Sequence, residues 1–314
     1  MLYIVFVIHG ISNYSFLPLY SKVFSSMLFE MPVIFFISGA SLKVSRSKPF
    51  VDFSKSRIKR IIIPYIVWVG GVICVSFLVG NQDLQVINLL RCRNVTCIPF
   101  INHIWFIYPY LIISVLGFYF IKIYNRFGNS FLYIYMIVAI IFILILDIFG
   151  IGKESLNLVR IIVVFSSFFV YGFTYKSKCT NKSHIFLFVF FFSIYFILIL
   201  SQLYTYRTQE NKFPPNLAYM CFGFIFVTLI SLATKNKMIL NNRIIQFSNK
   251  YGMEMYLYQN FAFWIYSAFI STYILHFSVI IQYCILCIVV CTILFPLSYF
   301  TNKINSYISK QIFL

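Results

Sequence analysis

Charge is what this sequence has least of. Only 10% of its 314 residues are Asp, Glu, Lys or Arg, against the roughly 25% usual for soluble domains. The acidic side is almost empty, with seven Asp and Glu in the whole chain. This composition excludes an ordinary water-soluble enzyme. No polar stretch exceeds about twenty residues, which excludes a separate soluble domain with a core of its own. Internal repeats, low-complexity segments and long linkers are absent as well, so the chain reads as one membrane domain over 1–314. The eight cysteines make no disulfide scaffold. Six lie in or beside apolar runs, and only Cys92 and Cys97 share a polar loop, where they form a weak disulfide pattern. Cys284, Cys287 and Cys291 fall at helical spacing in an apolar run and are expected in the core, not on a metal.

What is present is apolar: 61% of the residues, with Phe 39 and Tyr 24. A membrane-crossing helix needs about 20 such residues, and the pattern predicts an all-α integral membrane protein with about ten transmembrane helices, at 2–19, 24–42, 61–80, 103–121, 131–149, 158–175, 185–203, 217–234, 251–271 and 278–301. The net charge of +18 does not imply nucleic acid, which needs its Lys and Arg gathered on one folded face. Here they fall in clusters between apolar runs, as membrane orientation requires. One alternate set of connections holds Lys22, Arg91, Arg93, Lys153, Arg160, Arg207 and Lys212, and the other holds the remaining eighteen of the 25 basic residues. Short loops rich in Lys and Arg stay in the cytoplasm, so both termini are expected there. Met1 runs into apolar sequence without a basic leader, which argues against a secretory signal and suggests a first helix cut short at its start.

Ionisable groups inside a span cost about 2.5 to 3.5 kcal/mol and call for a partner, a wet cavity or a function. At a rise of about 1.5 Å per residue, His9 lies about 13 Å below the outer surface and Glu30 about 10 Å below it. His103 opens the fourth span at its outer edge. Such a cluster can take and return protons beside a hydroxyl substrate. The plain alternatives are a buried, satisfied His9 and an interfacial belt holding His103 and Trp105. On the inner side, Arg57 and Arg60 stand three residues apart and share a helix face. They can grip a phosphate with two guanidinium forks or simply orient the chain. Ser38, Gly39, Ala40 and Ser41 form a small-residue patch after Phe35 and Phe36, suited to close approach of a helix or a bound chain. Asp147 and Arg160 are placed to pair across a short loop. Pro214 and Pro215 precede the eighth span. Glu254, Gln259 and Asn260 put polar groups in the ninth.

The run Phe29-Glu30-Met31-Pro32-Val33-Ile34-Phe35-Phe36-Ile37-Ser38-Gly39, followed by Arg57-Ile58-Lys59-Arg60 and Pro64-Tyr65, resembles the acyltransferase 3 family of membrane acyltransferases, especially its fucose 4-O-acetylase-like branch. His103-Ile104-Trp105-Phe106-Ile107, Phe213-Pro214-Pro215-Asn216-Leu217 and Tyr251-Gly252-Met253-Glu254-Met255-Tyr256-Leu257 are similar to further family segments. The order and spacing of these motifs carry the resemblance more than any one of them. It implies transfer of an acyl group, usually acetyl, from cytoplasmic acyl-coenzyme A to a sugar hydroxyl of a surface or secreted glycan. His9 matches the family's first-span histidine. Phe35, Phe36, Ser38 and Gly39 match its Phe-Phe-x-x-Ser-Gly motif, and Arg57 and Arg60 its basic lead into the third span. The chain departs from the pattern at Glu30 and Gln259, where relatives carry His, which points to a different acceptor. The family's arginine upstream of the histidine has no counterpart, since Met1 comes only eight residues before His9.

The expectation is therefore an O-acyltransferase of the bacterial inner membrane, acting on a cell-surface polysaccharide such as O-antigen or exopolysaccharide, or on its lipid-linked precursor. Its partners are the lipid bilayer, the glycan acceptor and acyl-coenzyme A, with acetyl-coenzyme A as the expected donor substrate. No metal, bound cofactor or nucleic acid is expected. His9 and Glu30 are the candidate catalytic residues, His9 as proton acceptor and Glu30 orienting it or the sugar. Phe36, Ser38, Gly39, Arg57, Arg60, His103, Trp105, Glu254 and Gln259 are the candidate substrate- or donor-binding residues. Direct attack and an acyl-enzyme on His9 or Ser38 both remain open. The competing readings are a polymerase of the same glycan pathway, though the longest outer loop is only 81–102, and a flippase or transporter, though the chain lacks the related halves that transport favours.

Overall fold

A computed structural model describes residues 5, 28–44, 49–78, 104–151, 157–175, 181–234 and 243–312. The described residues contain no strand. Their helices are α1 (Glu30–Val44), α2 (Phe50–Leu78), α3 (Ile107–Phe127), α4 (Asn129–Ile148), α5 (Asn157–Tyr171), α6 (Asn181–Leu200), α7 (Thr208–Lys212), α8 (Leu217–Thr234), α9 (Arg243–Lys250), α10 (Gly252–Phe269) and α11 (Val279–Ile312). Short 3-10 turns stand at Ile104–Phe106, Gly172–Thr174 and Ser271–Ile274. Among the described residues, five helical stretches are long and apolar enough to cross a membrane: Phe50–Val75, Ile107–Phe127, Asn129–Ile148, Asn181–Leu200 and Ile280–Ile312. Leu158–Thr174 and Leu217–Ala233 are shorter apolar helices.

Several ends differ from the sequence expectation. Helix α2 begins eleven residues before position 61, and α11 continues eleven residues past 301. Apolar runs mark the extent of hydrocarbon, whereas Lys, Arg, Asn and Ser extend a helix beyond it at little cost. Helix α1 opens at Glu30, after the non-helical Leu28 and Phe29, where a span from 24 was expected. Pro32 suits that first turn because its missing N–H would have had no helical partner there. A carboxylate suits it because helix N-termini carry partial positive charge. Glu30 is therefore a helix-opening residue and does not lie part-way down a longer helix.

The chain divides into two compact units. The first comprises residues 1–15, 54–111 and 240–314. Its core joins α10 and α11 through Met255, Ala262, Phe263, Leu286, Val290 and Leu294, and Val5 is fully buried in the same cluster. The ring of Phe106 meets that of Tyr256 edge-on at 4.4 Å, which seats the 3-10 turn before α3 on α10.

The second unit comprises residues 16–53 and 112–239. Its centre is the crossing of α1 with α5. A side chain at Gly39 would lie 1.9 Å from the Phe169 carbonyl oxygen, and one at Gly172 would lie 2.2 Å from that of Phe36. The two backbones thus approach to a distance that only glycine permits. Helix α8 joins the same core, with Gly223 facing Pro32 and Phe168 and Phe226 stacked on Phe29 at 4.1 Å. Helix α4 ends where Gly150 takes φ +60°, a C-terminal conformation that glycine adopts freely. That stop places Asp147 in the last turn of the helix.

Candidate functional site

Two acidic residues organise the second unit. At the end of α4, Asp147 accepts from Arg160 Nη1 through Oδ1. Its Oδ2 accepts from the Tyr204 hydroxyl at 2.6 Å and from the Leu217 backbone N–H at 3.1 Å. Arg160 Nη2 donates to the Ile151 carbonyl, and the ion pair is almost fully buried. Burial, then the hydrogen bond to Asp147 and its charge, push the Tyr204 hydroxyl above its ordinary range, so it stays a donor. Asn216 caps α8, its Oδ1 accepting from the Tyr219 N–H at 3.0 Å. The expected Asp147–Arg160 pair is present, and it ties the end of α4 to the starts of α5 and α8.

The second acidic residue is Glu30, whose Oε1 forms an ion pair with Lys212 Nζ. The two side chains are 4% and 8% exposed, so both charges are withdrawn from solvent and neutralise each other. Lys212 closes the short α7, and its backbone bridges to Pro215 across the turn before α8. Sequence reasoning placed Lys212 among the solvated charges of an outer connection. The structure makes it the buried counter-ion of Glu30, and a backbone fold over prolines makes that inward turn. The signal for it was the demand of an acid within an apolar run for a cation. Among the described residues, Glu30 Oε2 and the fully buried Tyr219 hydroxyl have no hydrogen-bond partner. Tyr219 lies close enough to Glu30 to feel its charge.

Phe36 and Gly39 are occupied by packing in this unit. Phe36 lies 5.8 Å from the Tyr171 ring, and Gly39 faces the α5 backbone. Ser38 is buried beside them. The small-residue patch thus serves close helix approach at Gly39. A buried pair that sequence reasoning missed, Tyr171 hydroxyl to His184 Nδ1 at 2.6 Å, closes the other end of α5.

In the first unit, Arg57 is half-buried near Arg60 and Tyr110, and Arg60 is exposed. Trp105 is half-buried in the 3-10 turn that packs on α10. Glu254 is buried in the first turn of α10 and accepts from Asn302 and Asn305 of α11, each at 2.9 Å. These two asparagines are further residues that the sequence reading missed. Gln259, further along the helix, is 0% exposed and has no partner among the described residues at either end of its amide. Cys284 is exposed and Cys287 and Cys291 are half-buried, which corrects their expected core placement. Lipid-facing and core-facing positions of a membrane helix are equally apolar, so composition does not separate them. His9 and His103 lie outside the described residues, as do Cys92 and Cys97. Among the described residues, no group of three His, Cys, Asp or Glu is placed to hold a metal ion.

A family model described as an acyltransferase domain, acyltransferase 3, matches residues 1–299. No curated protein and no solved structure shows a significant match.

Proposed function

Because the chain belongs to the acyltransferase 3 family and is a membrane acyltransferase, we propose that it moves an acetyl group from cytoplasmic acetyl-coenzyme A to a sugar hydroxyl of a cell-surface polysaccharide or its lipid-linked precursor. We read the chain as one functional domain of ten spans in the bacterial inner membrane, with both termini in the cytoplasm. The observation that carries the donor assignment is Gln259. A buried amide without partners costs about 1 to 3 kcal/mol for each group left unsatisfied, and the coenzyme A arm bears amides that complement both of its ends. Arg57 and Arg60 supply charge for the nucleotide phosphates. Glu30 supplies the ionised acceptor oxygen that a sugar hydroxyl seeks.

In the reaction, the hydroxyl oxygen attacks the thioester carbonyl carbon while His9 takes the hydroxyl proton. Collapse of the tetrahedral adduct breaks the C–S bond, and the leaving thiolate recovers the proton from His9. The products are the sugar ester and free coenzyme A thiol.

The test uses a strain deleted for the chain and complemented with wild type or His9→Gln. Deletion should remove ester-linked acetyl while leaving glycan chain length unchanged. His9→Gln should accumulate in the membrane and lose transfer by about 10² to 10⁴, the usual contribution of a positioned proton acceptor. Shortened glycan would favour a polymerase. Wild-type acetylation by His9→Gln would end the base assignment. Reporter fusions at Lys55 and Lys237 should be cytoplasmic and one at Val95 external.

A further inference from the structure

The Glu30–Lys212 pair is complete as a charge pair and incomplete as a hydrogen-bonding group. One carboxylate oxygen takes the ammonium, and the other, almost closed to solvent, has no partner among the described residues. The Tyr219 hydroxyl, fully buried on α8, has none either. Both stand where α1 meets the start of α8. Phe226 stacks on Phe29, the residue before Glu30, and the turn that carries Lys212 to Glu30 is tied to α8 by the Asn216–Asn211 hydrogen bond. The Asn216 cap fixes the backbone N–H of Tyr219 itself. Two oxygens that need hydrogen-bond partners are thus held beside a neutralised charge pair. Buried polar groups of this kind are normally satisfied, and exceptions call for an explanation.

We infer that Glu30, Lys212 and Tyr219 form the subsite that holds a neutral hydroxyl group of the acceptor sugar, with Glu30 Oε2 accepting from the hydroxyl and Tyr219 completing its hydrogen bonds. This rests on the acyl-transfer reading and assigns its acceptor side. The chemistry selects the ligand. A site already neutral overall gives no net attraction to a phosphate or a carboxylate, and the free carboxylate oxygen repels both. A hydroxyl both donates and accepts, and it satisfies the two orphan oxygens without adding charge. Lys212 and Tyr219 are positioning residues for the acceptor, with no role in proton transfer.

Tyr219→Phe is the decisive variant, because it removes an oxygen that no described protein group uses. Membranes carrying it are assayed for transfer from labelled acetyl-coenzyme A to the unacetylated polysaccharide extracted from the deletion strain. The expected result is normal protein level and a half-saturating polysaccharide concentration raised about 3- to 10-fold, the worth of one hydrogen bond, with the half-saturating acetyl-coenzyme A concentration within about twofold of wild type. Polysaccharide dependence equal to wild type overturns the subsite. The charge swap Glu30→Lys with Lys212→Glu gives a second readout. Restored protein level with poor polysaccharide use supports the subsite, whereas recovery of both makes the pair structural and overturns it. Where the swapped protein does not accumulate, Tyr219→Phe decides alone. If wild-type membranes transfer nothing to the polysaccharide, the acyl-transfer reading falls and takes the subsite with it. If wild type transfers and the variants match it, only the subsite falls.

Discussion

Asp147 and Glu30 face the same problem in the same unit with different outcomes. Each is an acid almost sealed from solvent, and each is neutralised by one basic side chain. Around Asp147 both carboxylate oxygens are used, by Arg160, Tyr204 and the first N–H of α8. On the other side of the pair, Arg160 Nε is left without a partner among the described residues. Around Glu30, half of the carboxylate and a neighbouring tyrosine hydroxyl are left over. The first arrangement spends its polar groups on joining three helix ends, as a structural clasp does. The second holds polar capacity in reserve, which has no structural return and is what a ligand would complete.

The largest test of this contrast is loss of either counter-charge. Asp147→Ala leaves Arg160 buried and unpaired, and Lys212→Met does the same to Glu30. Each should destabilise by about 3 to 5 kcal/mol, read as a fall in membrane protein level and in the thermal unfolding midpoint in detergent. The two should part when the second charge is removed as well. Glu30→Gln with Lys212→Met should recover most of the stability while acceptor use stays low. Asp147→Ala with Arg160→Met should stay unstable, because Tyr204 and the α8 N-terminus still lack their acceptor. Equal recovery in both would erase the distinction.

A smaller effect is expected where helices cross. Gly39→Ala drives a methyl group into the Phe169 carbonyl and should cost about 1 to 3 kcal/mol by overpacking. An unchanged midpoint would mean that α1 and α5 can separate freely. The smallest effects come from two matched substitutions. Tyr204→Phe removes a hydroxyl that Asp147 uses and should cost about 1 kcal/mol, whereas Tyr219→Phe removes one that none of the described residues uses and should leave stability unchanged or slightly raised. Equal losses would show that the Tyr219 oxygen has a protein partner and that the contrast is false.

Much of this was legible in the sequence because the membrane imposes a coarse grammar. Apolar run length located the long helices, and α8 begins and ends where its apolar run does. The Asp147–Arg160 pair was legible because its members flank one short connection. Lys212 was not, since hydropathy treats every lysine between apolar runs as a solvated loop charge and cannot see a turn that folds one inward. Asn302 and Asn305 escaped for a related reason: they lie beyond the apolar part of α11, where a helix carries on without a hydropathy signal. Gly39 was recognised as a place of close approach, but whether a helix or a bound chain fills it depends on α5, more than a hundred residues away in the chain. Nothing in the composition distinguished Tyr219 from the other tyrosines, because its distinction is the partner it lacks.

The Glu30–Lys212 pair also sets a timetable for biogenesis. Its two members are 182 residues apart, so at about 5 to 20 residues per second the ribosome delivers the lysine about 9 to 36 s after the glutamate. For that interval α1 holds an acid whose counter-ion Lys212 has not yet been made. An unpaired acid at depth opposes insertion by about 2.5 to 3.5 kcal/mol. The helix must therefore wait near the interface until α7 emerges. The final seating of α1 against α5 and α8 is thus a late event, although α1 is among the first parts of the chain to be synthesised.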